Sequence, residues 1–126
     1  MAIVGVGLDV TRVGRLEQLL ARHGQRTLQR LFTDAEQELA AQRVDRVRHL
    51  AGRLAAKEAV MKVLGTGWGK GVGWKDIEIH ATEAGPPRVE LRGGAASHAE
   101  HLGIVRLWLS ISHDGDLAAA TAVGEA

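Results

Sequence analysis

From Asp45 to Leu64 the chain runs without a proline, and Gly65 follows at once. Asp45 supplies a cap at one end and Gly65 a left-handed stop at the other, so the stretch predicts one long helix around which the rest must pack. At about 100° per residue, Leu50, Leu54, Met61 and Leu64 share a stripe, and Glu58 and Lys62 sit side by side on its flank. Ala51 and Ala55, one turn earlier, are too small to cover that pair, which leaves room for a ligand to approach it. The same spacing also describes an ordinary surface pair worth about 0.3–0.5 kcal/mol. Lys57 breaks the apolar stripe; such a lysine snorkels by default, or else meets a buried carboxylate or a subunit neighbour.

A chain of 126 residues with 45% hydrophobic content fits a single domain, residues 1–126, burying about two thirds of its unfolded surface. It has no cysteine, no signal-like N-terminus and no apolar run near the roughly 18 residues that would cross a membrane, which together predict a cytoplasmic protein. Net charge is only +1, yet residues 1–31 hold five arginines (12, 15, 22, 26, 30) against Asp9 and Glu17. That imbalance points to an acidic partner. Nucleic acid is disfavoured, because three Trp, one Phe and no Tyr give little aromatic surface for base stacking.

Residues 3–10 read as a strand with Val4, Val6, Leu8 and Val10 on one face and Gly5, Gly7 and Asp9 on the other. Two glycines leading to a carboxylate imply close approach, by a ligand or by packing under a helix. Thr11 can cap a helix ending at Gly24. Thr33 and Glu36 have capping-box spacing, which makes Glu36 a helix-start residue with no chemistry assigned. Glycines 65, 67, 69, 71 and 73 follow the long helix rather than precede one, so they form a wall or cap and not a phosphate loop. A hairpin turning at Gly85-Pro86-Pro87, a short helix over 94–102, a strand over 104–113, an Asp114-Gly115 turn and a strand over 117–123 complete an order β-α-α-α-β-β-α-β-β. That order predicts an α+β fold, a mainly antiparallel sheet packed with helices.

His98 and His101 have zinc-compatible spacing but no evident third ligand, and they read as solvent-facing. Ser112 and His113 are strand neighbours pointing to opposite faces, which argues against a hydrolase pair. Asp9 and Glu58 remain as oxygen ligands for a hard cation; magnesium suits them, since it takes one or two carboxylates and completes its shell with water and phosphate oxygens. Lys62 beside Glu58 would then face the phosphates.

Four blocks in order, Gly5-Val-Gly7-Leu-Asp9-Val-Thr-Arg-Val-Gly-Arg15, Phe32-Thr-Asp-Ala-Glu36, Leu50 to Gly67, and Leu109-Ser-Ile-Ser-His113, resemble the small bacterial holo-acyl-carrier-protein synthases, a 4'-phosphopantetheinyl transferase family. The resemblance implies that family's fold and a place in fatty acid biosynthesis and lipid metabolism. It implies Mg2+-dependent transfer of phosphopantetheine from coenzyme A to a serine of an apo acyl carrier protein, releasing adenosine 3',5'-bisphosphate. It implies Asp9 and Glu58 as metal ligands, with Glu58, Lys62 and Asp9 in catalysis. Arg53, Lys62, Gly65, Pro86 and His113 would bind coenzyme A, and Arg15, extended by Arg22 and Arg26, would dock the carrier. It further implies a homotrimer with active sites between subunits. Two other readings share these residues: an inactive carrier-protein or nucleotide-binding module, and a transferase dedicated to a polyketide or peptide synthase carrier.

Overall fold

The computed structural model describes residues 2–126 and confirms the α+β class. β1 (Ile3–Arg12) leads into α1 (Val13–His23), α2 (Gln25–Leu31), α3 (Asp34–Ala41) and the long α4 (Arg46–Leu64). A 3-10 turn at Trp74–Asp76 precedes β2 (Ile77–His80), then β3 (Arg88–Leu91), α5 (Gly93–His101), β4 (Arg106–Asp114) and β5 (Leu117–Glu125). Strands β1, β5 and β4 form one antiparallel sheet in that order, and β2 and β3 form a separate hairpin. The predicted order lacked one helix. Gly24 does end α1, but its carbonyl accepts the amides of Thr27 and Leu28, so α2 starts at once.

α4 lies against all three strands of the sheet and begins and ends where its flanks predict, with Gly65 left-handed at φ 74°. Asp45, however, turns its carboxylate to Arg43 at 2.8 Å and leaves the helix N-terminus without a side-chain cap. Nearly every face of α4 is covered. Leu50, Ala51 and Leu54 join one apolar cluster with Leu16, Leu28 and Phe32, and Ala55, Ala59, Val60 and Val63 join another with Ile77, Leu109 and Ala120. Ala51 and Ala55 therefore pack in the core, and are not the open floor that the helical wheel suggested.

The close approach at the β1 glycines is by backbone. A Cβ on Gly7 would stand 1.9 Å from the Ala59 carbonyl oxygen, and one on Gly5 would stand 2.8 Å from that of Val63. Glycine alone lets α4 sit this near β1. The opposite face of β1 is uncovered: Val6, Leu8 and Val10 are 62%, 61% and 53% exposed, beside exposed Leu117 and Trp108 on β5 and β4.

Lys57, fully buried, meets the buried carboxylate of Glu36 at 2.7 Å and donates to the carbonyls of Trp74 (3.0 Å) and Ile77 (2.5 Å). The default expectation of snorkelling thus fails. Glu36 closes the predicted capping box with Thr33, and its other oxygen accepts the Ile79 amide, so one carboxylate ties α3, α4 and β2 together. Burial lowers the Lys57 pKa, and the charge and hydrogen bond of Glu36 oppose it. Thr11 does not cap α1. Asp116, in the β4–β5 turn, accepts from the Gly14 amide at 3.0 Å instead. Glu78, on the polar face of the hairpin by alternation, is buried because Arg92 pairs with it at 2.9 Å.

Candidate active site

The glycine contact sets Asp9 of β1 against the flank of α4. Lys62 reaches back across that contact, donating to the Leu8 carbonyl at 2.6 Å and lying 3.1 Å from Asp9 Oδ1. The lysine side chain is half exposed, so the ion pair itself is worth at most about 1 kcal/mol. Asp9 Oδ2 is buried and has no hydrogen-bond partner.

Glu58, one turn before Lys62, is half-buried and lies close to Asp9. Burial, followed by the hydrogen bond and charge of Asp9, pushes the Glu58 pKa from 4.5 up to about 8, against the downward pull of Lys62 and Arg15. Two carboxyl groups this close cannot both ionise cheaply, so in the free protein Glu58 holds a proton near neutral pH. A divalent cation would replace that proton and satisfy the orphaned Asp9 oxygen. An all-oxygen donor pair fits a hard ion such as magnesium.

A second carboxylate group, Glu78 and Glu90 with His80, lies on the β2–β3 hairpin. Arg92 already bridges both glutamates, so the chain itself supplies this group with a cation, and His80 Nε2 sits 2.9 Å from Glu78. His98 and His101 are spent on the carbonyls of Lys70 and Ser97, and they join no three-ligand cluster among the described residues.

Two cavities open beside α4; Glu58 lines the first, and none of Asp9, Glu58 and Lys62 lines the second. One of about 570 Å³ brings Glu58 together with Arg15 over an apolar floor of Leu16, Leu31 and Leu54. Trp68, from the glycine-rich exit of α4, forms part of its wall and stacks with Arg30 of α2 at 5.8 Å. The exit loop thus acts as the predicted wall. Arg15, Arg22 and Arg26 are all exposed on α1 and α2, and Arg15 lines this cavity.

The other cavity, about 540 Å³, brings Arg53 together with His113. Gly52 makes that meeting possible, because a Cβ there would lie 2.8 Å from His113 Nε2. His113 Nε2 lies 3.1 Å from the Arg48 carbonyl, while the exposed Ser112 makes no nucleophilic pair with it. Burial lowers the Arg53 pKa, and its buried Nε has no partner, leaving a donor available to an anion. Arg43, Arg48 and His49 complete a strongly basic lining that the sequence reading missed. His49 stands four before Arg53, and that helical spacing was the available signal. Gly65 caps α4, and Pro86 lies in the β2–β3 turn, where its carbonyl accepts from Thr82 at 3.0 Å; neither lines either cavity within one chain.

A conserved-family description fits this geometry. Residues 5–122 match the model of the 4'-phosphopantetheinyl transferase superfamily, and the chain belongs to that superfamily. Among curated relatives, it is 42% identical to the holo-[acyl-carrier-protein] synthase of Chlamydia pneumoniae, over 98% of both chains. Among solved structures, it superposes on the holo-[acyl-carrier-protein] synthase of Neisseria meningitidis with a TM-score of 0.90 and 35% identity, covering 99% of this chain and 100% of the other. It superposes on that of Helicobacter pylori, solved in complex with coenzyme A, with a TM-score of 0.81 and 28% identity, covering 95% and 99%.

Proposed function

We propose that residues 1–126 act as one holo-acyl-carrier-protein synthase domain, moving 4'-phosphopantetheine from coenzyme A to a serine hydroxyl of an apo acyl carrier protein and releasing adenosine 3',5'-bisphosphate. The observation that carries this reading is the Asp9–Glu58 pair, in which Glu58 is poised to exchange its proton for a cation, with Lys62 alongside. Asp9 and Glu58 would hold Mg2+, which supplies charge neutralisation on the substrate diphosphate. Lys62 offers an ammonium beside that position and steadies negative charge as the bisphosphate leaves. Glu58, ionised once a cation has replaced its proton, is the base we assign to the serine proton. The serine oxygen then attacks the phosphorus nearest the pantetheine, forming one P–O bond as the bond to the bisphosphate breaks.

Arg53 and His113 take the phosphate of the nucleotide end, supported by the unpartnered Arg53 Nε and the basic cavity around it. Arg15, Arg22 and Arg26 receive the acidic surface of the carrier. The uncovered apolar face of β1, β5 and β4 supports assembly into a homotrimer, in which Gly65 and Pro86 meet coenzyme A held between neighbouring subunits. No described helix is long and apolar enough to cross a membrane, and the cysteine-free composition suits the cytoplasm.

Intact mass of an apo carrier, incubated with the protein, coenzyme A and Mg2+ and in parallel with EDTA, tests the reading. A gain of one phosphopantetheine only with metal supports it. No gain on several apo carriers, with coenzyme A still bound, would leave a binding module in its place.

A further inference from the structure

His49 is used by nothing described so far, yet its surroundings are unusual. It sits in the first turn of α4 with only 6% of its surface exposed, and what is exposed opens onto the cavity of Arg53 and His113. Arginines dominate the charged groups around it. Arg48 and Arg53 come from its own helix, Arg43 and Asp45 from the segment before it, and His113 from β4; α3 contributes only Leu39, and the stretch after β2 only Ala81. The one acid, Asp45, is already committed to Arg43 through two hydrogen bonds of 2.8 and 3.0 Å. The side-chain cap that would occupy the α4 N-terminus is missing as well, so its free amides add positive potential at the same place.

We infer that His49 is a proton-coupled phosphate contact: it is neutral in the free protein and takes a proton from solvent when a phosphate enters the cavity, adding a cation to the site only when an anion is there to pair with it. The inference rests on the assignment of this cavity to the nucleotide-end phosphate, and adds to it a residue and a pH dependence. In the free protein, burial, then Arg53 and Arg43, hold the His49 pKa down to about 4. A phosphate dianion within contact distance reverses the local field and removes the penalty that the arginines impose. Keeping the imidazole neutral until then avoids another buried charge among the arginines; once protonated, both ring nitrogens are donors.

If the bound-state pKa returns to about 6.5, the ordinary histidine value, binding gains about tenfold in affinity at pH 5.5 and almost nothing at pH 8. The phosphate titrates in the same range, so the measurement must be a comparison. Binding of adenosine 3',5'-bisphosphate is followed by calorimetry at both pH values for the protein, His49→Phe and His49→Gln. The affinity advantage over each variant should grow about tenfold from pH 8 to pH 5.5. In parallel, NMR titration of the unaltered protein should move the His49 ring from about 4 to near 6.5 on adding the bisphosphate, a readout that does not depend on either variant folding. Binding with identical pH dependence in all three proteins, or an unmoved His49 titration with ligand bound, overturns the inference while leaving the cavity assignment intact. No binding at either pH removes the cavity assignment and the inference together.

Discussion

Replacing Gly7 with alanine asks whether backbone contact between β1 and α4 is what builds the active site. The added Cβ would lie 1.9 Å from the Ala59 carbonyl oxygen, whereas such contacts are essentially never below 3.0 Å, so strand and helix must part by at least about 1 Å. The partner is backbone in the middle of α4 and cannot rotate away. Asp9 stands two residues after Gly7 on β1, and Glu58 and Lys62 flank Ala59 on α4, so the displacement falls on the three groups that face one another there. Overpacking costs about 1–3 kcal/mol of stability, and a misplacement near 1 Å costs about 100-fold in rate. Urea unfolding and carrier modification followed by mass should show both losses. Gly5→Ala, at 2.8 Å from Val63 oxygen, needs a far smaller shift, and Gly124→Ala meets the movable Val63 side chain at 2.7 Å. Losses should therefore rank Gly7 well above Gly5 and Gly124. Wild-type unfolding midpoint and rate for Gly7→Ala, or equal activity losses at all three glycines, would refute the reasoning.

Lys57→Met leaves Glu36 charged and buried and removes a donor from two carbonyls, so unfolding free energy should fall by about 3–5 kcal/mol in urea titration, with partial recovery when Glu36→Gln is added. Arg15→Glu should raise KM for the carrier and flatten its salt dependence while leaving KM for coenzyme A nearly unchanged; steady-state kinetics at two ionic strengths decide it. Because the folded pKa of Glu58 is raised, the metal-free protein binds a proton there that the unfolded chain gives up. That stabilisation is whole below about pH 4.5 and fades as pH rises through about 8. Urea midpoints should accordingly fall over that window without metal, and added Mg2+ should restore them at the alkaline end.

Much of this could be read from residue order because local signals and tertiary demands agree. Thr33 and Glu36 close a capping box, Gly65 ends α4 in a left-handed turn, and the β4–β5 hairpin turns at Gly115-Asp116, one residue on from the Asp114-Gly115 expected. The errors arise where distant groups take over a local role. Asp116 caps α1 from another turn in place of Thr11, Glu36 holds Lys57 in the core, and Arg92 draws Glu78 inward. Spacing placed Glu58 beside Lys62, and elimination of other ligands together with the resemblance joined Asp9 to them; the fold supplies the contact itself, across 53 residues from Asp9 to Lys62. Arg43, Arg48 and His49 escaped notice because an anion cavity between a helix start and a strand end leaves no short motif.

The most direct test is the transfer rate of Glu58→Gln, measured by intact mass of the carrier across a Mg2+ titration, with urea unfolding as a control on the fold. A neutral amide of nearly the same shape keeps the packing but removes both the metal-binding charge and the base. The account predicts a rate lower by at least about 100-fold that added Mg2+ does not restore, in a protein that remains folded. A folded Glu58→Gln protein transferring phosphopantetheine at the wild-type rate, with the wild-type Mg2+ requirement, would contradict it.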